Sequence, residues 1–217
     1  MRYLVDLIVG ARPNFMKMSS ILNAVKYIDS QDLNFDVRLV HTGQHYDEKM
    51  SDIFFNQLGI RQPDINLNIG SGSQAEQVAN IMIKYECLLE SKKCDFCLVV
   101  GDVNSTMACA IVAKKMHIKV GHIEGGIRSF DQTMPEEINR MVTDSITDLF
   151  FTTSKFAGNN LLGAGISEKR IFFVGNTMID TLIFNLPKIR PPSGFEDLNK
   201  KEFILLTMHR PNNVDSI

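Results

Sequence analysis

The 217-residue sequence has no apolar stretch long enough to cross a membrane and no strong excess of charge of either sign. Its formal net charge of −2 at pH 7 gives no long-range field that would attract nucleic acid or an acidic membrane surface. The first residues, "MRYLVDLIVGARPN", contain Asp6 and are too short for a secretory signal. These absences predict a cytoplasmic protein whose partners include neither nucleic acid nor a membrane.

Cysteine is also scarce, and its four positions do not form a complete set of metal ligands. Cys94 and Cys97 have the spacing of a metal or redox pair, but one C-x-x-C without a second pair is a poor zinc site. Cys97 lies in the apolar run "FCLVV" and Cys109 lies in "MACAIVA", which is typical of small core residues. We therefore expect no bound metal.

Three common motifs of nucleotide-binding and hydrolytic enzymes are missing. The sequence has no G-x-G-x-x-G, no G-x-x-x-x-G-K-[ST] and no G-x-S-x-G. The segment "GSGSQAEQ" at 70–77 resembles the first motif only superficially, and it does not follow an apolar strand-like run. The missing fingerprint argues against a nicotinamide site, and we expect no cofactor.

Short apolar runs alternate with longer amphipathic stretches along most of the chain. Six runs are typical of buried strands because they are short and rich in β-branched or aromatic residues: "YLVDLIV", "FDVRLVHT", "DFCLVV", "KVGHI", "LFFTT" and "RIFFV". Strands that alternate with helices at this interval form a parallel sheet covered on both faces. The sequence therefore predicts an α/β fold, a Rossmann-like doubly wound parallel sheet.

Two of the intervening stretches carry clear helix signals. A helix is expected over 135–147 because Pro135 suits a first helical position and four apolar residues recur at helical spacing, namely Ile138, Met141, Val142 and Ile146. A second helix is expected over 155–164, with Ser154 as its N-cap and Gly165 as its end.

The end of the chain differs from the rest. The segment "NLPKIRPPSGFEDLNKKE" holds three of the seven prolines and is typical of a linker. It is followed by one more strand-like run, "FILLTMHR". We interpret 1–186 as a catalytic domain, 187–202 as a linker, and 203–217 as the first strand of a second domain whose remainder is missing, because a lone parallel strand cannot bury both faces.

Charged residues gather where the predicted strands end. Arg12 and Lys17 follow the first strand, Asp102 follows "DFCLVV", and Glu124 follows "KVGHI". The carboxyl ends of parallel strands form the ligand crevice of a doubly wound sheet. Two cations, two carboxylates and several helix N-termini at this edge would suit a phosphate or pyrophosphate.

A third carboxylate comes from "GHIEGGIRSFDQTMPEEINR", residues 121–140. Glu136 lies in the first helical turn behind Pro135, where the helix dipole favours a negative charge, and the preceding loop is long enough to bring it near Glu124. Several carboxylates in one cleft divide acid and base roles between them. Taken alone, Glu136 or Glu137 is typical of a helix start and Asp102 of a helix cap, so only the set indicates catalysis.

Six motifs in this order resemble the non-hydrolysing UDP-N-acetylglucosamine 2-epimerases: "GARPNFMK", "TGQHYD", "GDVNST", "HIEGGIRSFDQTMPEEINR", "VGNTMID" and "TMHRPNNVD". The resemblance runs from about residue 4 to residue 215. It implies the N-terminal half of a GT-B-like two-domain fold, a UDP-sugar as substrate, and a homodimer for the full-length proteins. It also implies conversion of UDP-N-acetylglucosamine to UDP-N-acetylmannosamine for cell-surface polysaccharides, by UDP elimination to a 2-acetamidoglucal and re-addition.

The same resemblance assigns roles to six residues. Asp102, Glu124 and Glu136 match the three catalytic carboxylates, which act as acid and base at carbon 2 and around the departing glycosidic oxygen. Arg12 and Lys17 match a basic pair that assists the pyrophosphate. His209 matches a histidine near the UDP phosphates. His122 also stands at a strand end, although a lone buried histidine is usually a core residue whose hydrogen bonds are satisfied.

The sequence departs from the family at several places, and two other readings stay open. Asn14 stands where many members have Glu, "GGIR" replaces "AGLR", and nearly all of the second domain is absent, so we expect little activity from this chain alone. A hydrolysing 2-epimerase or a GT-B glycosyltransferase is one alternative, although the first typically carries "SRAEY" in its first loop. An inactive fragment that only binds a ligand or partner is the other, with self-association or disorder expected after about Asn185.

Overall fold

The structure is a computed structural model that describes residues 2–28, 34–43, 55, 58–191, 193–194, 202–204 and 206–207. Within these residues one seven-stranded sheet is formed, and all of its neighbouring strands are parallel. The strands are β1 (Tyr3–Val9), β2 (Phe35–His41), β3 (Ile65–Asn66), β4 (Phe96–Val100), β5 (Lys119–Ile123), β6 (Leu149–Thr152) and β7 (Ile171–Phe173). The predicted α/β class, a Rossmann-like doubly wound sheet, is confirmed.

Six described α-helices alternate with these strands. They are α1 (Arg12–Tyr27), α2 (Gln74–Ser91), α3 (Asn104–Lys115), α4 (Pro135–Ile146), α5 (Lys155–Gly163) and α6 (Thr177–Asn185). Ser154 caps α5 as predicted, because its hydroxyl accepts from the amide of Ala157 at 3.1 Å. At the start of α2, Ser73 and Glu76 form a capping box, so "GSGSQAEQ" opens a helix through side-chain caps.

The strand order β3-β2-β1-β4-β5-β6-β7 places a switch point between β1 and β4. From β1 the chain proceeds outward through β2 and β3, and it then returns to β4 and proceeds the other way. Loops after β1 and β4 therefore diverge and leave a crevice at the carboxyl ends of the two strands, which is where ligands bind in open α/β sheets.

Alternating side chains of β1 build a core on each face of the sheet. Leu7 and Val9 point to one face and pack with Phe15 and other residues of α1, whereas Ile8 points to the other face and packs in the cluster that contains Tyr85 of α2. All five of these side chains are buried. This two-sided burial explains why the strand sequences are almost continuously apolar.

The one charged residue inside β1 is fully satisfied. Asp6 has no solvent exposure, and its carboxylate accepts from Nε and Nη2 of Arg38 at 2.7 and 2.8 Å and from the hydroxyl of Tyr85 at 2.9 Å. A buried carboxylate needs such partners because it has lost its water. Asp6 therefore serves the fold, away from the loops that end the strands.

The chain divides into two compact units, Met1–Phe184 and Asn185–Ile217. The first contains the whole sheet. In the second, the described residues 202–204 and 206–207 are not in a strand, and Phe203, Ile204 and Leu206 are exposed. A parallel strand forms only where neighbours supply hydrogen-bonding partners, which this unit does not provide within its described part. The predicted linker and second domain stay a prediction.

Candidate active site

A lysine and a glutamate from distant parts of the sequence meet at the switch point. Nζ of Lys17, on α1, lies 2.5 Å from Oε2 of Glu124, which follows β5. Their side chains are only 12% and 9% exposed. The pair is thus largely buried, and its two charges interact more strongly there than they would on an open surface.

Gly101 brings the backbone close to this pair. It directly follows β4 and has φ +71°, a left-handed conformation that glycine adopts without steric cost. A Cβ atom on Gly101 would lie 3.1 Å from Nζ of Lys17 and 3.8 Å from Oε2 of Glu124. The missing side chain therefore leaves room for the lysine head group beside the end of β4.

Asn14 ties the loop after β1 to the end of β4. Its Oδ1 accepts from the amides of Gly10 and Ala11 at 3.2 and 2.9 Å, and its Nδ2 donates to the carbonyl of Val100 at 3.1 Å. The side chain is buried, with all these partners on the backbone. Two loop amides that could have faced a phosphate are thereby occupied, and the charged group offered here comes instead from Lys17 on α1.

Glu124 itself has a backbone conformation that is unusual for a residue with a side chain. Its φ is +68°, and non-glycine residues in this region cost roughly 1–3 kcal/mol unless their surroundings hold them there. Its amide donates to the carbonyl of Phe151 at 2.9 Å, which anchors the turn to β6. The sheet thus fixes the chain at the point where it presents the carboxylate.

Asp102 lies on the loop after β4 and is held by α4. Its carboxylate forms an ion pair with Arg140, and its carbonyl accepts from Nδ2 of Asn139 at 2.9 Å. The N-cap of α3 is Val103, which has no side-chain cap. The alternative that Asp102 caps this helix is therefore wrong, since its carboxylate bonds to a different helix.

Arg140 connects Asp102 to a second acid, because its Nη1 lies 2.8 Å from Oε2 of Glu137. Burial lowers the pKa of Arg140, but its hydrogen bonds to Glu137 and Asp102 outweigh burial and raise the pKa above its ordinary value. Arg140 thus remains charged and fixes the loop after β4 against α4. The sequence interpretation did not single out this residue.

The neighbours Glu136 and Glu137 have different surroundings. Glu137 is 1% exposed and accepts from the amides of Ser129 and Phe130 at 3.0 and 3.2 Å, so it organises the loop before α4. Glu136 is exposed in the first turn of α4, and the described part of the chain offers its side chain no hydrogen bond or ion pair. The structure therefore places Glu136 near the Asp102 loop through its helix but shows no contact with Glu124.

Helix α4 turns its polar side inward. Its buried residues are all polar, namely Glu137, Asn139, Thr143 and Asp144. The helix predicted over 135–147 is present as Pro135–Ile146, and two of the apolar residues whose spacing predicted it, Ile138 and Met141, are 42% and 40% exposed. The buried side of α4 is polar because the helix packs against strand-end loops, whose backbone and charged groups need polar partners.

Two predicted site residues fall outside these observations. The side chain of Arg12 and the whole of His209 lie outside the described residues. Within the described residues, no group of three or more His, Cys, Asp or Glu side chains is arranged to hold a metal ion. The same residues contain no helix long and apolar enough to span a membrane.

Comparisons of sequence identify relatives of this chain. The profile of the family described as UDP-N-acetylglucosamine 2-epimerase matches residues 28–217. A UDP-N-acetylglucosamine 2-epimerase of Methanococcus maripaludis is 43% identical over 223 residues, which cover 99% of this chain and 58% of that protein. A UDP-2,3-diacetamido-2,3-dideoxy-D-glucuronate 2-epimerase of Pseudomonas aeruginosa is 41% identical over 96% of this chain and 58% of its own length.

Solved structures share the fold. The Methanocaldococcus jannaschii UDP-GlcNAc 2-epimerase in complex with UDP-GlcNAc and UDP matches with a TM-score of 0.87 at 42% identity, over 98% of this chain and 58% of that one. S. aureus MnaA with UDP matches with a TM-score of 0.87 at 29% identity, over 98% and 55% of the two chains. The present chain therefore spans a little more than half the length of these relatives.

Proposed function

Because this chain belongs to the UDP-N-acetylglucosamine 2-epimerase family, we propose that it carries the acid–base side of an active site that inverts carbon 2 of UDP-N-acetylglucosamine. The observation that carries the proposal is the withdrawn Lys17–Glu124 pair beside Gly101, with Asp102 on the adjoining loop. The chain spans 58% of the length of these relatives, and we propose that the contacts with uridine belong to the remainder.

Epimerisation at carbon 2 requires a base and a group that stabilises the departing diphosphate. A hydrogen on carbon 2 has no adjacent carbonyl and is only weakly acidic, so its removal needs a placed base and concerted departure of UDP. We assign Glu124 to carbon 2, because the sheet presents its carboxylate in a fixed, nearly dry position. Lys17 then faces the negative charge that develops on the departing diphosphate.

Asp102 and Glu136 are proposed as the further acid–base groups. Asp102 is held by Arg140 on the loop next to Glu124, and Glu136 begins the helix that carries Arg140. A carboxylate on another element can return the proton to the opposite face of carbon 2, as an inversion requires. Arg12 and His209 are proposed to bind the diphosphate, as the family resemblance implies.

A second candidate substrate is a modified UDP-sugar. The Pseudomonas aeruginosa relative, at 41% identity, is a 2-epimerase of a UDP-2,3-diacetamido-2,3-dideoxy-D-glucuronate. The same inversion at carbon 2 would serve both sugars, since they differ at carbons 3 and 6. Homodimer formation and a role in polysaccharide synthesis stay predictions.

Product analysis by proton NMR tests the proposal. The purified chain is incubated at high concentration with UDP-N-acetylglucosamine, and in parallel with the diacetamido glucuronate. UDP-N-acetylmannosamine is the expected product of the first incubation, and Glu124→Gln should abolish it. Free N-acetylmannosamine with UDP would instead indicate a hydrolysing enzyme. Turnover of the glucuronate alone would assign the second substrate, and no product from either sugar, in a folded chain that binds them, would refute the proposal.

A further inference from the structure

A buried histidine on β5 joins the loops that carry the candidate carboxylates. His122 is fully buried, two residues before Glu124. Its Nδ1 lies 2.7 Å from Oδ1 of Asp144 on α4, and its Nε2 lies 2.8 Å from the carbonyl oxygen of Gly101. One ring therefore links β5, the loop after β4, and α4. Its burial keeps it away from any substrate.

Both ring nitrogens of His122 face groups that accept hydrogen bonds. The carbonyl of Gly101 can only accept, so Nε2 donates to it. The other oxygen of Asp144, Oδ2, accepts from the amide of Gly126 at 3.0 Å and pairs with Nη1 of Arg128 at 2.6 Å. Burial raises the pKa of Asp144, but its contacts with His122 and Arg128 outweigh burial and lower that pKa below its ordinary value. Asp144 is thus an acceptor as well, so each ring nitrogen of His122 lies within hydrogen-bond distance of an acceptor oxygen.

Asp144 holds the chain on both sides of Glu124. It binds the side chain of residue 122, two positions before, and the amide of Gly126, two positions after. Gly126 has φ +83°, and a Cβ there would lie 2.3 Å from the carbonyl oxygen of Ala157, so this turn is packed against α5. Glu124 between these two anchors keeps its own left-handed φ of +68°. Such a conformation persists only where the surroundings over-determine it.

The same ring also reaches the lysine side of the site. His122 fixes the carbonyl of Gly101, and Gly101 is the residue at which an added Cβ would lie 3.1 Å from Nζ of Lys17 and 3.8 Å from Oε2 of Glu124. A shift of the ring would therefore move the backbone at Gly101, which borders the Lys17–Glu124 contact, together with the turn that presents Glu124.

We propose that His122 and Asp144 form a positioning pair that fixes Glu124 against Lys17, rather than only filling the core. The pair touches no substrate, and it acts through the turn 124–126 and through Gly101. Its importance for turnover rests on the proposed role of Glu124, whereas its effect on the geometry of the Lys17–Glu124 contact does not. The two parts can therefore be tested separately.

The geometric part is tested by NMR of isotope-labelled protein. Asp144→Asn keeps the size of the side chain but replaces one acceptor oxygen with a donor group. Asp148→Asn is the matched control. Like Asp144, Asp148 pairs with a cation and accepts from a backbone amide: Lys114 lies 2.9 Å away and the amide of Val120 lies 2.7 Å away. These contacts are at the opposite end of β5 from Glu124. The signals followed are the His122 ring nitrogens, the Lys17 ammonium and the Glu124 carboxylate.

Asp144→Asn should shift the Lys17 and Glu124 signals, and Asp148→Asn should leave them at their wild-type positions. Unchanged Lys17 and Glu124 signals in Asp144→Asn would overturn the proposal, whatever the activity of the protein. If Asp144→Asn fails to fold, His122→Gln breaks the same link and should produce the same shifts.

The functional part is tested by steady-state kinetics of carbon 2 epimerisation. Asp144→Asn should lower kcat about 100-fold, because displacement of a catalytic group by about 1 Å costs that much, while KM changes less than about 3-fold. Asp148→Asn should keep the wild-type kcat. Equal losses in both variants would indicate a general effect on folding and would overturn the proposal. A wild-type chain without activity would refute the proposed function alone, because the NMR comparison still decides the positioning role.

Discussion

Lys17 and Glu124 are 107 positions apart in the sequence, yet Nζ of Lys17 lies 2.5 Å from Oε2 of Glu124. The pair forms because α1 begins after β1 and Glu124 directly follows β5, and the switch point brings both elements to the β4 loop. On the proposed function, an arriving diphosphate competes with Glu124 for the lysine. Substrate binding and release of the glutamate would then be the same event, which suits a residue that acts at carbon 2.

Replacement of Lys17 should reduce turnover more than stability. Lys17→Met removes the charge that faces the departing diphosphate, and loss of one such electrostatic contact costs about 10²–10³ in kcat. Lys26→Met, on the exposed last turn of the same helix, is the control and should keep kcat within about 2-fold of wild type. The measurement is kcat and KM for both variants. A Lys17→Met enzyme as active as Lys26→Met would remove Lys17 from the mechanism.

Replacement of the two adjacent glutamates on α4 should affect the free energy of unfolding very differently. Glu137→Gln should lower the free energy of unfolding by about 2–4 kcal/mol, because it weakens a buried acceptor of two amides and Arg140. Glu136→Gln should stay within about 0.5 kcal/mol of wild type, because that side chain is exposed.

Activity should follow the reverse order for these two variants. Glu136→Gln should lose turnover at unchanged stability if Glu136 takes part in acid–base chemistry, whereas folded Glu137→Gln should retain part of its turnover. Denaturant unfolding and the epimerisation assay, run on the same samples, give both quantities. Full activity of Glu136→Gln would remove this residue from the catalytic set.

A methyl group at Gly101 should disturb the site as well as the backbone. Gly101→Ala adds a Cβ 3.1 Å from the Lys17 head group at φ +71°, so both strain and a close contact result. Gly165→Ala is a matched control, because Gly165 has φ +83° but no atom within 4 Å of an added Cβ. Each variant should lose about 1 kcal/mol of stability from the left-handed conformation, and only Gly101→Ala should lose activity. Equal activity of the two variants would contradict a crowded site at Gly101.

Burial of His41 predicts a loss of stability in mild acid. Burial lowers the pKa of His41 to about 4, against about 6.5 in the unfolded chain. Between these two pKa values the unfolded state binds a proton that the folded state does not. The contribution of His41 to the free energy of unfolding is therefore fully present above pH 6.5 and is lost as the pH falls towards 4. Lowering the pH from 6.5 to 5 should therefore cost roughly 2 kcal/mol.

Urea unfolding of His41→Asn at both pH values tests this assignment. Asparagine does not titrate, so the difference in stability between pH 6.5 and pH 5 should shrink by roughly 2 kcal/mol in this variant. His117→Asn, at an exposed position, should keep the wild-type difference. A wild-type pH dependence in His41→Asn would show that His41 is not the source of the acid sensitivity. Glu137 and Asp144 would not explain it either, because carboxyl groups with a lowered pKa keep their full contribution above the ordinary carboxyl range and lose it only at lower pH.

The sheet was predictable because strands buried on both faces are short and apolar. All six predicted runs are strands, and their ends lie within a residue or two of the observed ones. The seventh strand, β3, was missed, since its two residues carry no periodicity and are defined only by pairing with Val40 and His41 of β2. Long-range pairing of this kind leaves no local signal.

The site was predictable where it depends on strand ends and was missed where it depends on contacts between loops and α4. Asp102 and Glu124 follow from the rule that ligand groups gather at carboxyl ends. The structural roles of Asn14, Arg140 and Asp144 could not be predicted, because their partners are mostly backbone atoms or side chains on distant elements. A run of polar residues on one side of α4 was the available signal, but without known partners it resembles a solvent-facing surface.

The most direct test of the role of Glu124 is solvent exchange at carbon 2 of UDP-N-acetylglucosamine in heavy water, followed by proton NMR. Wild-type protein should incorporate deuterium at carbon 2 as the manno epimer appears, and Glu124→Gln should incorporate none while it still binds the substrate. Incorporation by Glu124→Gln at the wild-type rate, or epimerisation in wild type without deuterium at carbon 2, would contradict the central claim that Glu124 exchanges this proton.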